Sequence, residues 1–549
     1  MTAIAVVGGG IGGLTTAHEL AERGFDVTVL EANDRFGGKA RSMPIADGPA
    51  PLHGEHGFRF FPAFYRHVID TMERIPDGTG TVANNLVETE ATLIAGVDDV
   101  DRIASTTAPD SLSEWLEALR PAFVEDLPAA DVRFLLERLL YLLTACDDRR
   151  EGELDDVSWW TFIDAENRSQ EFRDRLAYAT QSLVALRPEV GSARTIGTIY
   201  LQLLFGQLDA SRPTERILNA PTNDAWIDPW VRYLETLGVD VQRNAPARGL
   251  EFDGRRITGV ALADGRTVTA DEYVLAVPVD VAPNFVTPEL RRAAPELGRI
   301  ERLETAWMNG IQFYLSEDVE LTRGHQVYAD APWALTSISQ RQFWTDYDLE
   351  SRGPDAVEGV LSVIASDWET PGIVHEKPAR ACTREEIAEE IWAQLKAHLN
   401  ASDDHLTGPG TRLTDEMLVD WFLDPAIVET DDGVANRSPL LINTVGSLRN
   451  RPAADTAVRN LTLAGDYVRT NADLASMESA NEAGRRAASA ILDRVRYRGS
   501  RPQCWELQEP AVFEPFKRQD QFRYRLGLPH PAATTQSIRT ATRRLSKRL

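Results

Sequence analysis

Apolar positions at the start of the chain follow two periods in quick succession. Ile4 to Val7 is a short continuous apolar run, the pattern of a buried strand. A glycine cluster, Gly8-Gly9-Gly10-Ile11-Gly12-Gly13, interrupts it, and Leu14, Ala17, His18, Leu20 and Ala21 then repeat at helical spacing. Asp26 to Leu30 returns to a strand pattern and ends on Glu31. Residues 66 to about 215 read as mostly helical, with Trp115, Leu116 and Leu119 in one period and Phe134, Leu135, Leu139, Leu140, Leu142 and Leu143 in another. The second of these is greasy enough to carry two readings, a packed core helix or a lipid-facing entrance. Ala225 to Leu234 leads a helix ending at Gly238, and a strand follows from Val239 to Gln242. Ala247–Phe252, Ile257–Leu262 and Thr267–Val268 predict a small meander turned at Asp253-Gly254 and Asp264-Gly265. Met308–Leu315, Ala334–Ser339 and Val360–Ala365 predict strands of an antiparallel sheet, and Arg384–Leu399 an amphipathic helix. Asn460 to Leu463 reads as a last buried strand, running into Gly465-Asp466.

The first forty residues carry chemistry as well as pattern. Gly8, Gly10 and Gly13 have the G-x-G-x-x-G spacing between a strand and a helix, and Glu31 lies eighteen positions after Gly13 at the end of the second strand. That order suits a dinucleotide: tight turn, close backbone approach to a diphosphate, helix N-terminus toward the phosphates, and a carboxylate for a ribose hydroxyl. It does not choose between nicotinamide and flavin.

Composition narrows the classes. At 549 residues the length prior allows about three or four domains. Hydrophobic content of 43% and charged content of 26% describe an ordinary globular protein. No run of about 18 apolar residues predicts a membrane-spanning helix, and the early first strand leaves no room for a secretory signal, so a cytoplasmic protein is expected. The three cysteines, Cys146, Cys382 and Cys504, are scattered and expected to be reduced; no ligand spacing suggests a metal. A net charge of −26 opposes binding to nucleic acid.

Three further segments resemble one family. Glu31-Ala32-Asn33-Asp34-Arg35-Phe36-Gly37-Gly38-Lys39 is similar to the E-A-x-x-R-x-G-G-K/R pattern of flavin amine oxidases, carotenoid desaturases and protoporphyrinogen oxidases. Gly54 to Tyr65 resembles the E-x-G-x-x-x-F-F-G-x-Y segment of phytoene and ζ-carotene desaturases and of hydroxysqualene dehydroxylases, with Pro62 for glycine and Arg59 for the usual histidine. Ala464-Gly465-Asp466-Tyr467 and Ala475-Ser476-Met477-Glu478-Ser479-Ala480 are similar to the desaturase motifs L-A-G-D-Y and A-S-M-E-G-A, with Ser479 for glycine. The resemblance is nearest the phytoene-desaturase and hydroxysqualene-dehydroxylase branch.

The resemblance implies an α/β chain, with a discontinuous Rossmann-like FAD-binding domain over 1–70, 220–283 and 440–497. An α+β substrate domain, with an antiparallel sheet and a helical lobe, would take 71–219 and 284–439. It implies non-covalent FAD on Gly8, Gly10, Ile11, Gly12, Gly13, Glu31 and Ala32. Arg35, Gly37, Gly38, Lys39 and Arg41 would approach the ligand and offset phosphate charge. Gly57, Phe58 and Arg59 would lie beside the flavin ring, Gly465 and Asp466 at the ribityl–phosphate part, and the backbone of Met477 and Glu478 at the pyrimidine edge. Ser479 with Glu482 reads as a capping box for the following helix. Arg59 is the candidate for charge stabilisation and Glu55 for orienting it. The implied reaction is hydride transfer from an apolar, isoprenoid or carotenoid-like substrate to flavin N5, with oxygen or a quinone as the final acceptor. An amine oxidase and a non-catalytic prenyl or lipid carrier are the alternatives. Lysine poverty counts against the first, since Lys377 and Lys396 alone lie between residues 40 and 516.

Regular pattern is lost after Tyr497, and residues 498–549 form a basic tail. Ile538, Thr542, Leu545 and Leu549 share a helical face near Arg539, Arg543, Arg544, Lys547 and Arg548. The tail reads either as a strap over the protein's acidic surface or as an anchor on anionic membrane.

Overall fold

A computed structural model describes residues 2–45, 51–97, 102–105, 127–209, 212–319, 321–352, 357–401 and 412–532. Trp115, Leu116 and Leu119, and the tail face from Ile538 to Leu549, lie outside these.

Five parallel strands form the first sheet, in the order Asp240–Gln242, Asp26–Leu30, Ala3–Val7, Glu272–Leu275, Leu461–Leu463. Ala3–Val7 is central, and its Ile4, Ala5, Val6 and Val7 are buried, as a strand covered on both faces requires. Strands more than two hundred residues apart in sequence thus lie side by side. The helix Ile11–Ala21 is buried along its whole length and packs on the long helix Met477–Arg494. A methyl group on Gly484 would come within 2.5 Å of the Gly12 carbonyl oxygen, so the two helices meet backbone to backbone.

The second sheet has seven strands, in the order Arg102–Ser105, Ala91–Ala95, Gln326–Tyr328, Leu335–Ser339, Gly359–Ala365, Asn309–Leu315, Leu418–Leu423. Two features differ from the sequence reading. Ala91–Ala95 and Arg102–Ser105 are strands inside a stretch read as mostly helical, and Gln326–Tyr328 pairs with Ala91–Ala95 in parallel, so the sheet is mixed. Their brevity gives too few alternations for a strand signal. The helix Arg384–Leu399 covers this sheet with Ile387, Ile391 and Leu395, and a Thr383–Glu386 capping box starts it.

A helical lobe completes the body. Its long helices, Ala129–Thr144 and Ala193–Leu208, enclose a cluster in which the Trp159 and Tyr200 rings stack at 5.3 Å. The greasy helix divides the two readings offered for it: Leu135, Tyr141 and Leu142 are buried, while Leu136 and Leu140 are exposed. The segment after Tyr497 is more ordered than its pattern suggests. The Trp505 N–H donates to His67 Nε2 at 2.9 Å, and the helix Glu514–Arg525 docks on the lobe through a buried Arg149–Asp520 pair at 2.9 Å. No helix among the described residues is long and apolar enough to cross a membrane.

Candidate active site

The turn after the first strand is built by exclusion of side chains. Gly8 has φ +107, the left-handed region that glycine alone enters without strain. A methyl group on Gly13 would overlap the Gly8 carbonyl, and one on Gly12 would overlap the Ala464 carbonyl at the end of the last parallel strand. Gly10 differs: its φ of −80 suits any residue, and a methyl group there would meet only the Gly38 Cα, at 3.7 Å. Ile11 is the first residue of the helix, whose N-terminal end has no side-chain cap and no acidic residue in its first turn. A positive helix end beside open space is a cradle for an anion.

Glu31 is buried and accepts from the Gly9 N–H at 2.8 Å, the Asn33 N–H at 2.9 Å and Asn33 Nδ2 at 2.6 Å. Ala32 is exposed and Arg35 half-buried. Phe36 packs under Gly9, and Gly37, with φ +109, donates its N–H to the Gly9 carbonyl at 2.9 Å. Gly38 thereby comes against Gly10, and the second glycine pair folds over the first. Two expected phosphate partners are already engaged. Lys39 Nζ donates to the Pro439 carbonyl, and Arg41 Nη1 to the Gly38 carbonyl at 3.0 Å. Both bind backbone carbonyls, Arg41 within its own turn and Lys39 on a segment four hundred residues away.

The Gly54–Tyr65 segment needs more correction. Glu55 does not orient Arg59 directly. Its carboxylate accepts the Thr222 N–H at 2.7 Å, and burial raises its pKa above the usual carboxylate value. Arg59 is instead fixed by carbonyls, donating through Nη2 to Lys39 at 2.7 Å, through Nε to Ala40 at 3.3 Å and through Nη1 to Phe58 at 3.4 Å. Burial lowers the guanidinium pKa from its usual value, opposed by the fields of Glu55 and Asp424. Phe58 is buried in a small cluster with Ile217, Ile338, Phe343 and Ile364, its ring 4.8 Å from that of His325. Gly57 lies against protein: a methyl group there would come within 3.0 Å of the Ile364 side chain, and one on Gly310 within 2.7 Å of the Gly57 Cα.

At the far end, Gly465 is fixed by the Tyr467 ring, which any side chain there would overlap. The Asp466 carbonyl accepts from Arg451 Nη2 at 2.6 Å, while its half-buried carboxylate has no hydrogen-bond partner among the described residues. Burial raises the nearby Asp280 carboxyl, Lys39 lowers it and Asp466 raises it further, so these three charges share one neighbourhood. Met477 is half-buried at the first turn of its helix. The Glu478 side chain is engaged within the protein: it accepts from the Arg66, His67 and Val68 N–H groups at 2.8, 2.9 and 3.0 Å, capping the helix His67–Arg74. The expected Ser479–Glu482 box does not form. Ser476 is the cap, accepting the Ser479 N–H at 3.2 Å, and Glu482 takes the Asn471 N–H at 2.9 Å.

Sequence reasoning missed two clusters. His56 Nδ1 pairs with Asp424, which also accepts Asn309 Nδ2 at 2.6 Å and the Ala426 N–H at 2.9 Å. Burial raises that carboxyl, but the His56 charge and these hydrogen bonds bring it down to about 2. Arg451 bridges the Asp466 turn to Asp473 at 3.2 Å, and Arg194 of the lobe joins Asp473 at 2.5 Å. Neither cluster has a motif, because its members come from distant strands and loops.

Residues 11–492 match the family model described as flavin containing amine oxidoreductase. The chain belongs to that family. As a flavin-containing oxidoreductase it is similar to a zeta-carotene desaturase from Synechocystis sp., 25% identical over 89% of this chain and 97% of that protein. It is also similar to a carotenoid phi-ring synthase from Streptomyces griseus, 28% identical over 90% and 89% of the two chains. Among solved structures, putrescine oxidase bound to putrescine superposes with a TM-score of 0.61 at 16% identity, covering 90% of this chain and 99% of that one. Cyclohexylamine oxidase from Brevibacterium oxydans gives 0.58 at 14%, covering 90% and 99%. Those two share the fold of this flavin enzyme.

Proposed function

We propose that the protein is an FAD-dependent desaturase or dehydrogenase that removes hydrogen from an apolar, carotenoid-like isoprenoid substrate and holds FAD non-covalently. Gly10 carries the cofactor reading. Neither its backbone angles nor its protein neighbours require glycine, whereas a diphosphate lying against the helix end does. The near full-length likeness to a zeta-carotene desaturase supports the apolar substrate.

FAD supplies hydride acceptance at flavin N5. Of the roughly four lone-pair sites on the Glu31 carboxylate, three are used inside the protein, leaving one for a ribose hydroxyl. The free Asp466 carboxylate accepts sugar hydroxyls. The helix Met477–Arg494 contributes its positive end, and Arg59 keeps a fixed positive charge between the phosphate turn and the substrate side. Oxygen or a quinone regenerates the cofactor. On this reading the protein works in the cytoplasm at a membrane surface, where such a substrate dissolves, with the basic residues 533–549 contributing to contact.

An amine substrate is the second reading, supported by the family's amine-oxidising members. The described lysines speak against a lysine-assisted amine oxidase: Lys377 pairs with Glu386, Lys396 with Asp415 and Lys517 with Glu509, and Lys39 donates to the Pro439 carbonyl. Purified protein should release FAD on acid precipitation, and anaerobic titration should bleach the flavin band with a phytoene-type polyene but not with amines. Bleaching by amines alone overturns the substrate, and protein that stays colourless after FAD is added overturns the enzyme in favour of a carrier.

A further inference from the structure

Histidines tied into the packing of this protein spend both ring nitrogens on it. His18 bonds Glu22 through Nε2 and takes the Trp230 N–H on Nδ1. His67 bonds Glu478 and the Trp505 N–H, and His398 bonds the Gln394 carbonyl and Asp330. His56 is different. Its Nδ1 pairs with Asp424, its Nε2 has no partner among the described residues, and 14% of the side chain stays open. His53 and His325 also bond through one nitrogen only, but His53 meets the Tyr347 hydroxyl, and His325 stands 3.6 Å from Glu215, beyond hydrogen-bond distance.

Asp424 sets the state of the His56 ring. It is 2% exposed, and its carboxylate also takes Asn309 Nδ2 at 2.6 Å and the Ala426 N–H at 2.9 Å. Asn309 is held in turn, its side-chain carbonyl accepting from Asn436 Nδ2 at 2.7 Å. These bonds keep the carboxylate ionised, and an ionised carboxylate only accepts. The His56 proton therefore sits on Nδ1, and the Nε2 lone pair points away from Asp424. A histidine oriented by a buried carboxylate, with its second nitrogen bare, is the arrangement of an activated proton acceptor.

The pair lies where the seven-stranded sheet meets the glycine turn. Asn309 opens the strand Asn309–Leu315, Asp424 follows its neighbour Leu418–Leu423, and the Gly310 N–H donates to the His56 carbonyl at 2.6 Å. On the other side Asp424 acts on Arg59, which donates to the Lys39 and Ala40 carbonyls of the turn folded over Gly10. The charges around His56 are thus Asp424, Arg59 and Glu55, with Arg384 fixed on the Leu423 and Asp424 carbonyls at 2.7 and 3.1 Å.

We propose that His56 Nε2 accepts the proton released in the dehydrogenation, with Asp424 as its positioning residue. This rests on the flavin reading above. Dehydrogenation takes two hydrogens from adjacent substrate atoms. One leaves as hydride and carries two electrons to flavin N5. The other leaves as a proton to His56 Nε2, and the bond pair it leaves behind becomes the new π bond. Asp424 offsets the imidazolium charge. The proton leaves again when the hydride passes on to oxygen or a quinone, giving peroxide or quinol.

The test uses holoenzyme reduced anaerobically by phytoene or, where that fails, by putrescine. His56→Gln keeps an N–H for Asp424 but takes no proton; His56→Ala leaves space for imidazole. Both should retain FAD within about twofold and reduce the flavin about a hundredfold more slowly. Free imidazole should restore the alanine variant at least about tenfold and leave the glutamine variant slow. The wild-type rate should show an acid limb that the glutamine variant lacks. Diethyl pyrocarbonate, mapped by peptide mass spectrometry, reads the same nitrogen without turnover. His56 should label in the apoprotein, unlike His18, His67 and His398, and be protected once FAD and donor are bound. If the alanine variant folds poorly, the glutamine variant and the labelling decide. Variants as fast as wild type, a folded alanine variant that imidazole does not rescue, or a His56 label that FAD and donor leave unprotected overturns the proposal while the flavin reading stands. A wild type that neither donor bleaches overturns the flavin reading, and the proton acceptor with it.

Discussion

Gly12 and Ala464, more than four hundred residues apart, touch through bare backbone, with the Ala464 carbonyl where a side chain on Gly12 would stand. This contact brings the Gly8–Gly13 turn and the Gly465–Asp466 turn together at the start of a single helix. Gly12→Ala forces two backbones apart. Overpacking a well-filled core costs about 1–3 kcal/mol, and backbone on both sides leaves little to relax. Thermal unfolding should show a clear drop in Tm for the apoprotein, with weaker FAD retention following from it.

Gly10→Ala should behave in the opposite way. The nearest protein atom to the new methyl group is 3.7 Å away and the backbone angles are ordinary, so the apoprotein should melt within a degree or two of wild type. FAD affinity, measured by fluorescence quenching, should fall at least about tenfold because the methyl group stands where the diphosphate must approach. Unchanged affinity would mean that the ligand lies elsewhere.

The contrast shows what was legible in the sequence. The glycine fingerprint was, because strand, turn and helix constrain one another locally; Gly8, Gly10, Gly13 and Glu31 stand where the pattern puts them. The partners of Lys39, Glu55 and Glu478 were not, since Pro439, Thr222 and the His67 N–H come from far along the chain and nothing local announces them. The cluster around Phe58 was not legible either, since Ile217, Ile338, Phe343 and Ile364 come from distant segments. The helix Glu514–Arg525 gave no apolar period, because its anchor is a buried carboxylate, Asp520, and its apolar residues face outward.

The His56–Asp424 pair predicts an acid limb of stability. Asp424 has a folded pKa of about 2 against an ordinary 3.8, so its contribution is fully present above pH 4 and is lost as pH falls toward 2. The shift is worth about 2 kcal/mol for this buried group. Asp424→Asn should melt well below wild type at pH 6, and the gap should narrow steadily between pH 4 and pH 2.5. A gap that stays constant over that range would assign the loss to packing.

Arg59 offers the sharpest division between holding the cofactor and helping the reaction. Sequence reasoning makes it a charge beside the ring, so that Arg59→Ala slows flavin reduction more than it weakens FAD retention. Its three carbonyl partners reverse that order, because Lys39 and Ala40 belong to the turn that folds over Gly10. Hydrogen bonds from a charged donor contribute about 1.5–3 kcal/mol each. Losing the firmest, to Lys39 at 2.7 Å, should therefore weaken FAD binding roughly 10–100-fold. Arg59→Lys retains the charge but cannot reproduce the fork. Reduction rates measured by rapid mixing at saturating FAD separate the roles: both variants should bind FAD weakly, and once saturated the lysine variant should reduce close to the wild-type rate. Should both variants hold FAD normally and both reduce slowly, Arg59 acts at the reaction and the turn is closed by other means.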